Sequence, residues 1–266
     1  MPRATAEKRA AFRALHESGC FILPNPWDIG SAKYLASLGF KALATTSSGF
    51  AWSTGRADNH VTREIILAHL SAIVAATDLP VNADFENGFG ATPDEVAQNV
   101  TLGIATGVAG LSIEDSTGNA ASPLRPIDAA AQRIAAARRA IDQNGGDTLL
   151  VGRAENFVVG VQDLDDAIAR LKAYADAGAD CLYAPGIKTR EQIEAVVAAV
   201  APKPVNVLVG SVSPFTLEDL AAMGVRRVSV GGALARSAWG GFMAAAQALT
   251  EGRFDGFAGA ASGRSE

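Results

Sequence analysis

The sequence is poor in the residues that build disulfides, zinc sites and histidine-based catalytic sets. It contains two cysteines, Cys20 and Cys181, which lie too far apart in the chain to form a metal-type or redox-type pair. Two of the three histidines fall within predicted helices and one in a predicted loop, and none belongs to a Ser-His-Asp set. A low thiol content is typical of a reducing cytosol, so we expect a cytoplasmic protein.

Long apolar runs and an excess of basic residues are also missing. No uncharged apolar run approaches the length of a membrane span, and no apolar run follows the charged residues 1–10. We therefore expect neither a membrane segment nor a signal peptide. A net charge of −5 offers no basic footprint for nucleic acid. Because 48% of the 266 residues are hydrophobic and only 19% are charged, the chain can bury a sizeable core.

What the sequence does contain is one pattern repeated eight times, a short apolar strand followed by an amphipathic helix. A helix is predicted over residues 5–18. The predicted strands then cover residues 20–23, 41–45, 81–84, 109–113, 148–152, 181–184, 205–209 and 227–230. The helices that follow them cover residues 28–38, 62–76, 93–105, 127–141, 164–177, 190–200, 217–223 and 233–249. Near-continuously apolar strands at this spacing predict a parallel sheet buried on both faces.

Eight such units in a chain of this length predict a (β/α)₈ TIM barrel with an extra N-terminal helix. A doubly wound open sheet is the alternative, but the Gly-rich dinucleotide turn is missing after the first strand, where Pro24–Trp27 stands. No linker rich in Pro, Gly or Ser divides the chain. We predict one barrel domain over residues 1–255 and a flexible tail over residues 256–266.

Polar side chains follow three consecutive strands of the predicted barrel. The third strand ends at Asp84, with Glu86 two residues later; the fourth ends at Glu114 and the fifth at Arg153. The next helix after Asp84 has its own cap at Thr92, so both nearby acids are free for another role. In a barrel, the residues at these strand ends meet at one mouth, where the chemistry takes place.

Carboxylates that converge on one cavity repel each other, and they either stay protonated or recruit a cation. Oxygen-only ligands favour Mg²⁺ or Mn²⁺ over zinc. Arg153 can then supply a bidentate donor for a carboxylate or phosphonate of the substrate. The alternative is a set of ion pairs between loops that has no function.

A second candidate site is the small-residue segment Thr45–Phe50 after the second strand. Small residues at a strand end let backbone amides point at an anion, although such a segment is often only a loop. The connection continues to His60 and is long for a barrel. Within it, Asp58 either reaches the cavity or caps the helix that starts near Thr62.

These motifs resemble the isocitrate lyase/phosphoenolpyruvate mutase superfamily, over about residues 21–245. The segments that carry the resemblance are Gly55–Asp58, Ala83–Gly90, Ala109–Asp115 and Gly152–Glu155. The resemblance implies a Mg²⁺-dependent enzyme that acts on a 2-oxo or 2-hydroxy carboxylate through a pyruvate-like enolate. It also implies a homodimer or homotetramer in which the last barrel helix is exchanged between subunits.

The resemblance assigns roles to the acids and to the arginine. Asp84 would bind the Mg²⁺ (or Mn²⁺), with Glu86 and Glu114 holding it directly or through water. Arg153 would bind the substrate and balance its charge, and Asp58 would lie near the reacting atoms. The implied catalytic residues are therefore Asp58, Glu114 and Arg153.

The resemblance also implies a set of substrate-binding residues. The amide-rich turn at Ser47, Ser48 and Gly49 would receive the substrate carboxylate, together with Arg153. Asn206 on the seventh strand matches a polar residue of the family. The expected partner is a small-molecule carboxylate, with no nucleic acid and no membrane.

The segment 116–126, which we call the lid, departs from the family pattern. Members that cleave isocitrate or methylisocitrate carry a lid with a catalytic Cys and a Lys, and neither is present here. Phosphorus–carbon mutases carry a Lys and an Asn in the lid, and only Asn119 could match. After Asn206, Leu208 and Val209 replace the Thr-Glu pair of methylisocitrate lyases.

We therefore predict a Mg²⁺-dependent lyase or decarboxylase that cleaves a carbon–carbon bond of a small oxaloacetate-like acid. The first alternative is phosphorus–carbon chemistry, as in phosphonopyruvate hydrolysis or phosphonomutase activity. The second alternative is a protein that binds a 2-oxo acid without turning it over.

Overall fold

Eight parallel strands form a single sheet in the computed structural model, which describes residues 3–261. Each strand pairs with its neighbour in the order β1-β8-β7-β6-β5-β4-β3-β2. The strands are β1 (Phe21–Leu23), β2 (Leu43–Ala44), β3 (Val81–Asp84), β4 (Gly110–Glu114), β5 (Leu149–Arg153), β6 (Cys181–Tyr183), β7 (Val205–Leu208) and β8 (Arg227–Ser229). Between β2 and β1, the amide of Ala44 donates to the carbonyl of Pro24 at 3.0 Å, which nearly closes the barrel.

A helix precedes β1, and at least one helix follows each strand. The helices are α1 (Thr5–Leu15), α2 (Ile29–Ser37), α3 (Ser47–Ser53), α4 (Arg63–Ala75), α5 (Pro93–Ala105), α6 (Ile127–Gln143), α7 (Leu164–Asp176), α8 (Arg190–Val200), α9 (Leu217–Ala222) and α10 (Ala233–Thr250). The predicted (β/α)₈ TIM barrel with its extra N-terminal helix is confirmed. Most predicted helix bounds are within two residues, but α1 ends three residues early, at Leu15, and residues 16–19 form the turn that leads to β1.

Alternation along each short strand divides the apolar residues into two cores. One set points into the barrel, where Leu23, Val151 and Cys181 pack with Phe12 of α1. Phe12 is fully buried, so α1 closes the end of the barrel at which the strands begin. The other set packs the outer helices onto the strands. Both cysteines are free, and Cys181 is a core residue as its strand position predicts.

The start of α5 explains why the acids before it are available. The Thr92 hydroxyl accepts the Glu95 amide at 3.2 Å, and the Glu95 carboxylate accepts the Thr92 amide at 3.1 Å. This reciprocal cap satisfies two amides that the helix itself cannot. Asp84 and Glu86 therefore take no part in capping α5.

The sequence predicts an amide-rich turn after β2, but the structure has a helix there. Ser47–Ser53 forms the short helix α3, with Thr46 as its N-cap. The amide of Gly49 points at the Thr46 hydroxyl at 3.3 Å, and a side chain at Gly49 would meet Thr46, Trp27 and Ala235. Backbone amides do point out of this segment, but they do so from the first turn of a helix.

The last helix, α10, is largely exposed along its second half. Trp239, Phe242 and Met243 are 37%, 62% and 63% exposed. Residues 255–257 form a short 3₁₀ turn, and Gly256 packs on Ala245 of α10. The predicted tail covers residues 256–266, of which 262–266 lie outside the described residues, so the boundary at residue 255 stays a prediction. Within residues 3–261, no helix is both long and apolar enough to cross a membrane.

Candidate active site

The predicted polar residues lie together at the C-terminal ends of β3, β4 and β5. Asp84, Glu114 and Arg153 are the last residues of these strands. Glu114 pairs with Arg153 in the strand register, so their side chains project from neighbouring strands at one level. Parallel strands bring their carboxyl ends to the same mouth of a barrel, so Asp84 and Arg153 meet although 69 residues separate them.

Arg153 forms ion pairs with three carboxylates. Its Nη1 lies 3.1 Å from Asp84 Oδ1 and 3.4 Å from Glu114 Oε2, and its Nε donates to Glu155. Its guanidinium also lies 5.3 Å from the centre of the Tyr183 ring. Burial alone would lower the pKa of Arg153, but the three carboxylates outweigh it and raise that pKa. The arginine therefore stays charged, and it is outnumbered by acids.

Asp84 is also held from the side of β2 and α3. The backbone amide of Ser47, at the first turn of α3, donates to Asp84 Oδ2 at 2.9 Å. The Thr45 hydroxyl accepts the backbone amide of Asp84 at 2.9 Å. One of the amides predicted to bind substrate is thus already bonded to the predicted metal ligand. This contact fixes the Asp84 carboxylate between α3 and Arg153.

Several acids of this mouth resist ionisation. Burial, with the charges of Asp84 and Asp58 added, raises the pKa of Glu86 to about 8. Burial and the neighbouring Glu155 raise the pKa of Glu114. Removal of water around its carboxyl and the charge of Asp84 raise the pKa of Asp58. Among residues 3–261, Arg153 is the arginine that pairs with these acids, and it does not balance this much negative charge, so the acids favour added protons or a cation.

Glu86 has two unusual features for a residue between a strand and a loop. Its φ is +46°, in the left-handed region, which costs a residue with a side chain roughly 1–2 kcal/mol. Its side chain is buried, and Oε1 has no hydrogen-bond partner among the described residues. An unsatisfied buried oxygen costs about 1–3 kcal/mol more. Strain of this kind collects at functional sites.

Two adjoining cavities open at the mouth. The first, of about 330 Å³, is lined by most of the predicted site residues, namely Ser47, Ser48, Asp58, Asp84, Arg153 and Asn206. The second, of about 320 Å³, lies under the lid and is lined by Glu114 and Glu155. Ser47, Asp58 and Arg153 line both cavities. Gly49 and Glu86 line neither.

The donor set fits a divalent cation that keeps most of its water. All the candidate ligands are carboxylate oxygens, and Glu86 Oε1 is a spare buried acceptor. Within residues 3–261, no group of three Asp, Glu, His or Cys side chains could hold a metal by itself. Mg²⁺ commonly binds through one or two carboxylates plus water. Asp84 stays the predicted direct ligand of the cation, with Glu86 and Glu114 predicted to hold it directly or through water.

The lid is ordered at its base and neutral where it faces the cavity. Ser116 pairs with Leu124 as an isolated antiparallel bridge, and the Thr117 amide donates to the Pro123 carbonyl at 2.9 Å. The lid residues that line the second cavity are Ser116, Gly118, Asn119, Ala120 and Pro123. None of these side chains ionises, so the lid adds no acid, base or cation to the mouth.

Some residues of the site are absent from the predicted set. Glu155 holds Arg153, and it stands two residues after the end of β5, so the pattern of polar residues at strand ends carried a signal for it. Tyr183 lines the first cavity beside Arg153. Arg236 of α10 also lines that cavity, and the strand-end pattern gives no signal for a helical residue.

Comparison with known proteins shows the family to which the chain belongs. The model of the phosphoenolpyruvate phosphomutase family matches residues 12–250. A crystal structure from Burkholderia cenocepacia J2315, described as that of a lyase/mutase, is 50% identical, with a TM-score of 0.95 over 98% of this chain and 95% of that one. An oxaloacetate decarboxylase of Pseudomonas putida GB-1 is 30% identical over 86% of this chain and 80% of that protein.

A crystal structure of oxaloacetate acetylhydrolase with its product oxalate is 29% identical, with a TM-score of 0.83 over 94% of this chain and 88% of that one. This chain belongs to the phosphoenolpyruvate mutase/isocitrate lyase superfamily, as its sequence motifs predict. It is an enzyme of that superfamily.

The raised pKa of Glu86 predicts how stability depends on pH. A carboxyl whose pKa rises from 4.5 to about 8 on folding stabilises the fold fully below pH 4.5, and that contribution is lost as the pH rises through 8. Glu86→Gln keeps the neutral form at every pH. In chelator, we expect this variant to raise the free energy of unfolding by about 2–4 kcal/mol at about pH 9, and by much less at about pH 5.

Urea unfolding at the two pH values measures this difference. Glu17→Gln, at an exposed position on the surface, is the matched control and should change stability at neither pH. An equal effect of Glu86→Gln at both pH values would contradict a buried, charge-crowded carboxyl.

Proposed function

We propose that this enzyme is a Mg²⁺-dependent lyase or decarboxylase that cleaves a carbon–carbon bond of a small oxaloacetate-like 2-oxo or 2-hydroxy carboxylate. The observation that carries this proposal is the charge pattern of the mouth. Arg153 is paired with Asp84, Glu114 and Glu155, whereas the lid side chains that line the second cavity are all neutral.

In this proposal the chain's own residues bind and orient the substrate. Ser47 and Ser48, at the start of α3, receive the carboxylate next to the oxo group, and Arg153 balances its charge. Asn206, fully buried between Ser229 and Arg227, keeps its amide fixed at the cavity wall. These positions leave the rest of a small substrate to extend into the second cavity, below the lid.

The second cavity favours loss of a carboxylate that enters it. Glu114, Glu155 and Asp58 line it, and among the described residues of its wall the only cation is Arg153, already bonded to three acids. A substrate carboxylate there is repelled and poorly solvated. When its carbon–carbon bond breaks, CO₂ leaves and the electron pair moves onto the 2-oxo group as an enolate. A proton then returns to the carbon, and in this proposal Asp58, which lines both cavities, guides it.

Asp84 would hold the Mg²⁺, with Glu86 and Glu114 acting through water. When bound, Mg²⁺ supplies Lewis-acid stabilisation of the negative charge that develops during cleavage. The name of the related oxaloacetate decarboxylase and the oxalate complex of the acetylhydrolase support a substrate of this size and charge.

Phosphorus–carbon chemistry is the second candidate. One observation favours it: Asn119 of the lid lines the cavity, and the matching family model is named for a phosphomutase. The lid has no Lys to accompany that Asn. Phosphorus NMR on phosphonopyruvate separates this candidate from the first.

We expect Mg²⁺-dependent release of CO₂ and pyruvate from oxaloacetate, above the rate of Mg²⁺ without enzyme. Asp84→Ala should lower the enzymatic rate by about a hundredfold or more, because the cation loses its direct ligand. Asp176→Ala, at an exposed acid at the far end of α7, is the matched control and should keep full activity. Proton NMR of substrate and product measures the rates.

Isocitrate and methylisocitrate should not be cleaved, and release of succinate from either would contradict the proposal. Turnover of phosphonopyruvate alone would select the second candidate. If 2-oxo acids raise the melting temperature and none is converted, the chain is a binding protein without catalysis.

We also propose that the enzyme is cytoplasmic, which its two free thiols support.

We propose further that the enzyme is a homodimer or homotetramer in which α10 packs against a partner subunit. The exposed apolar side chains of α10, which include Trp239, Phe242 and Met243, support an oligomer. Phe242→Asp should therefore shift the mass measured by light scattering toward that of one chain. Tyr34→Asp, at an aromatic residue that is 66% exposed on α2, is the control and should not. A wild-type protein with the mass of a single chain would contradict this proposal.

A further inference from the structure

Asp115 lies directly after the predicted metal-site acid Glu114 but points away from the cavity. It is 2% exposed and lines neither cavity. Its Oδ1 accepts the backbone amide of Glu155 at 2.9 Å. Glu155 in turn pairs with Arg153. A hydrogen bond to the Glu155 backbone therefore connects Asp115 to the ion pairs of the site.

Two side chains of α7 hold Asp115 from behind. The Tyr174 hydroxyl donates to Asp115 Oδ2 at 2.6 Å, and Arg170 Nη1 donates to the same oxygen at 3.1 Å. They stand four residues apart on α7, so they lie on the same face of the helix. Both side chains are buried, and neither lines a cavity. Burial and the charge of Asp115 raise the pKa of Tyr174, which keeps its hydroxyl protonated as a donor.

The same three residues also fix both ends of the lid. The lid begins immediately after Asp115, whose carbonyl accepts the amide of Arg125 at 3.0 Å. The carbonyl of Arg125 in turn accepts Arg170 Nη1 at 2.7 Å. A single guanidinium nitrogen therefore bonds to the residue before the lid and to a residue near its end.

We propose that Arg170 and Tyr174 are positioning residues, which hold Asp115 so that Glu155 and both ends of the lid keep their places at the mouth. Neither residue lines either cavity. Any effect on the mouth passes through Asp115 and Arg125, while Arg170 Nε also pairs with Asp166 of α7 at 2.6 Å. A buried carboxylate that loses one of its donors is left partly unsatisfied and shifts to find another partner. That shift would reach the Glu155 amide and the lid together.

Amide hydrogen exchange tests the positioning role without any substrate. In Arg170→Met we expect the amides of Glu155 and Arg125 to exchange about tenfold faster, because each depends on Asp115. Tyr174→Phe removes only the hydroxyl and should show a smaller change at the same two amides. It also keeps the test decisive if Arg170→Met does not fold.

Arg138→Met is the matched control. Arg138 also lies on an outer helix and bonds to two acids, Asp142 and Asp180, but it contacts neither Asp115 nor the lid. The Arg138→Met variant should leave the amide exchange rates of Glu155 and Arg125 unchanged. If all three variants raise exchange evenly across the barrel, or if none changes those two amides, the positioning role is refuted.

A second measurement is the turnover of oxaloacetate, and it rests on the proposed function. Misplacement of Glu155 and Arg153 should lower kcat about tenfold in Arg170→Met, with a smaller change in KM. Arg170→Lys keeps the charge but cannot reach both oxygens, so it should recover only part of kcat. Full recovery by Lys would overturn the two-ended contact. Because exchange is measured without substrate, absence of turnover would refute the proposed function and leave the positioning role to the exchange data.

Discussion

The crowding of carboxylates around Arg153 is the constraint on which the site depends. Asp84, Glu114 and Glu155 reach this one guanidinium from three neighbouring elements, and Glu86 lies buried behind them. The arrangement leaves net negative charge in a region that is largely shielded from water. A cation that binds there relieves repulsion that the fold itself does not relieve. The free protein therefore carries strain at this site, and a bound cation would relieve it.

Much of this could be predicted from the sequence, because the information is local. Apolar strands at regular spacing specify the barrel, and the strand ends specify where Asp84, Glu114 and Arg153 meet. The Thr92 cap was equally readable, since it depends on residues three apart. Motifs of this kind also identified the superfamily.

What could not be predicted depends on contacts between distant parts of the chain. Thr45–Phe50 reads as a loop from its composition, but the Asp84 carboxylate accepts the first amide of α3 and stabilises a helix there. The link from Tyr174 to Asp115 spans 59 residues and joins a helix to a strand end. Neither residue type nor spacing signals such a pair. The sequence does show that the lid lacks Cys and Lys. It does not show that neutral lid residues line the same cavity as Glu114 and Glu155.

Oxalate, a planar dianion shaped like the enolate of pyruvate, provides the most direct test of the central claim. Isothermal titration calorimetry with oxalate would compare wild-type protein with and without Mg²⁺, and Asp84→Asn with Mg²⁺. If the acids around Arg153 hold a cation that receives an enolate, oxalate binds the wild type only with Mg²⁺ and does not bind the variant. Equal binding by the wild type with and without Mg²⁺ would contradict it.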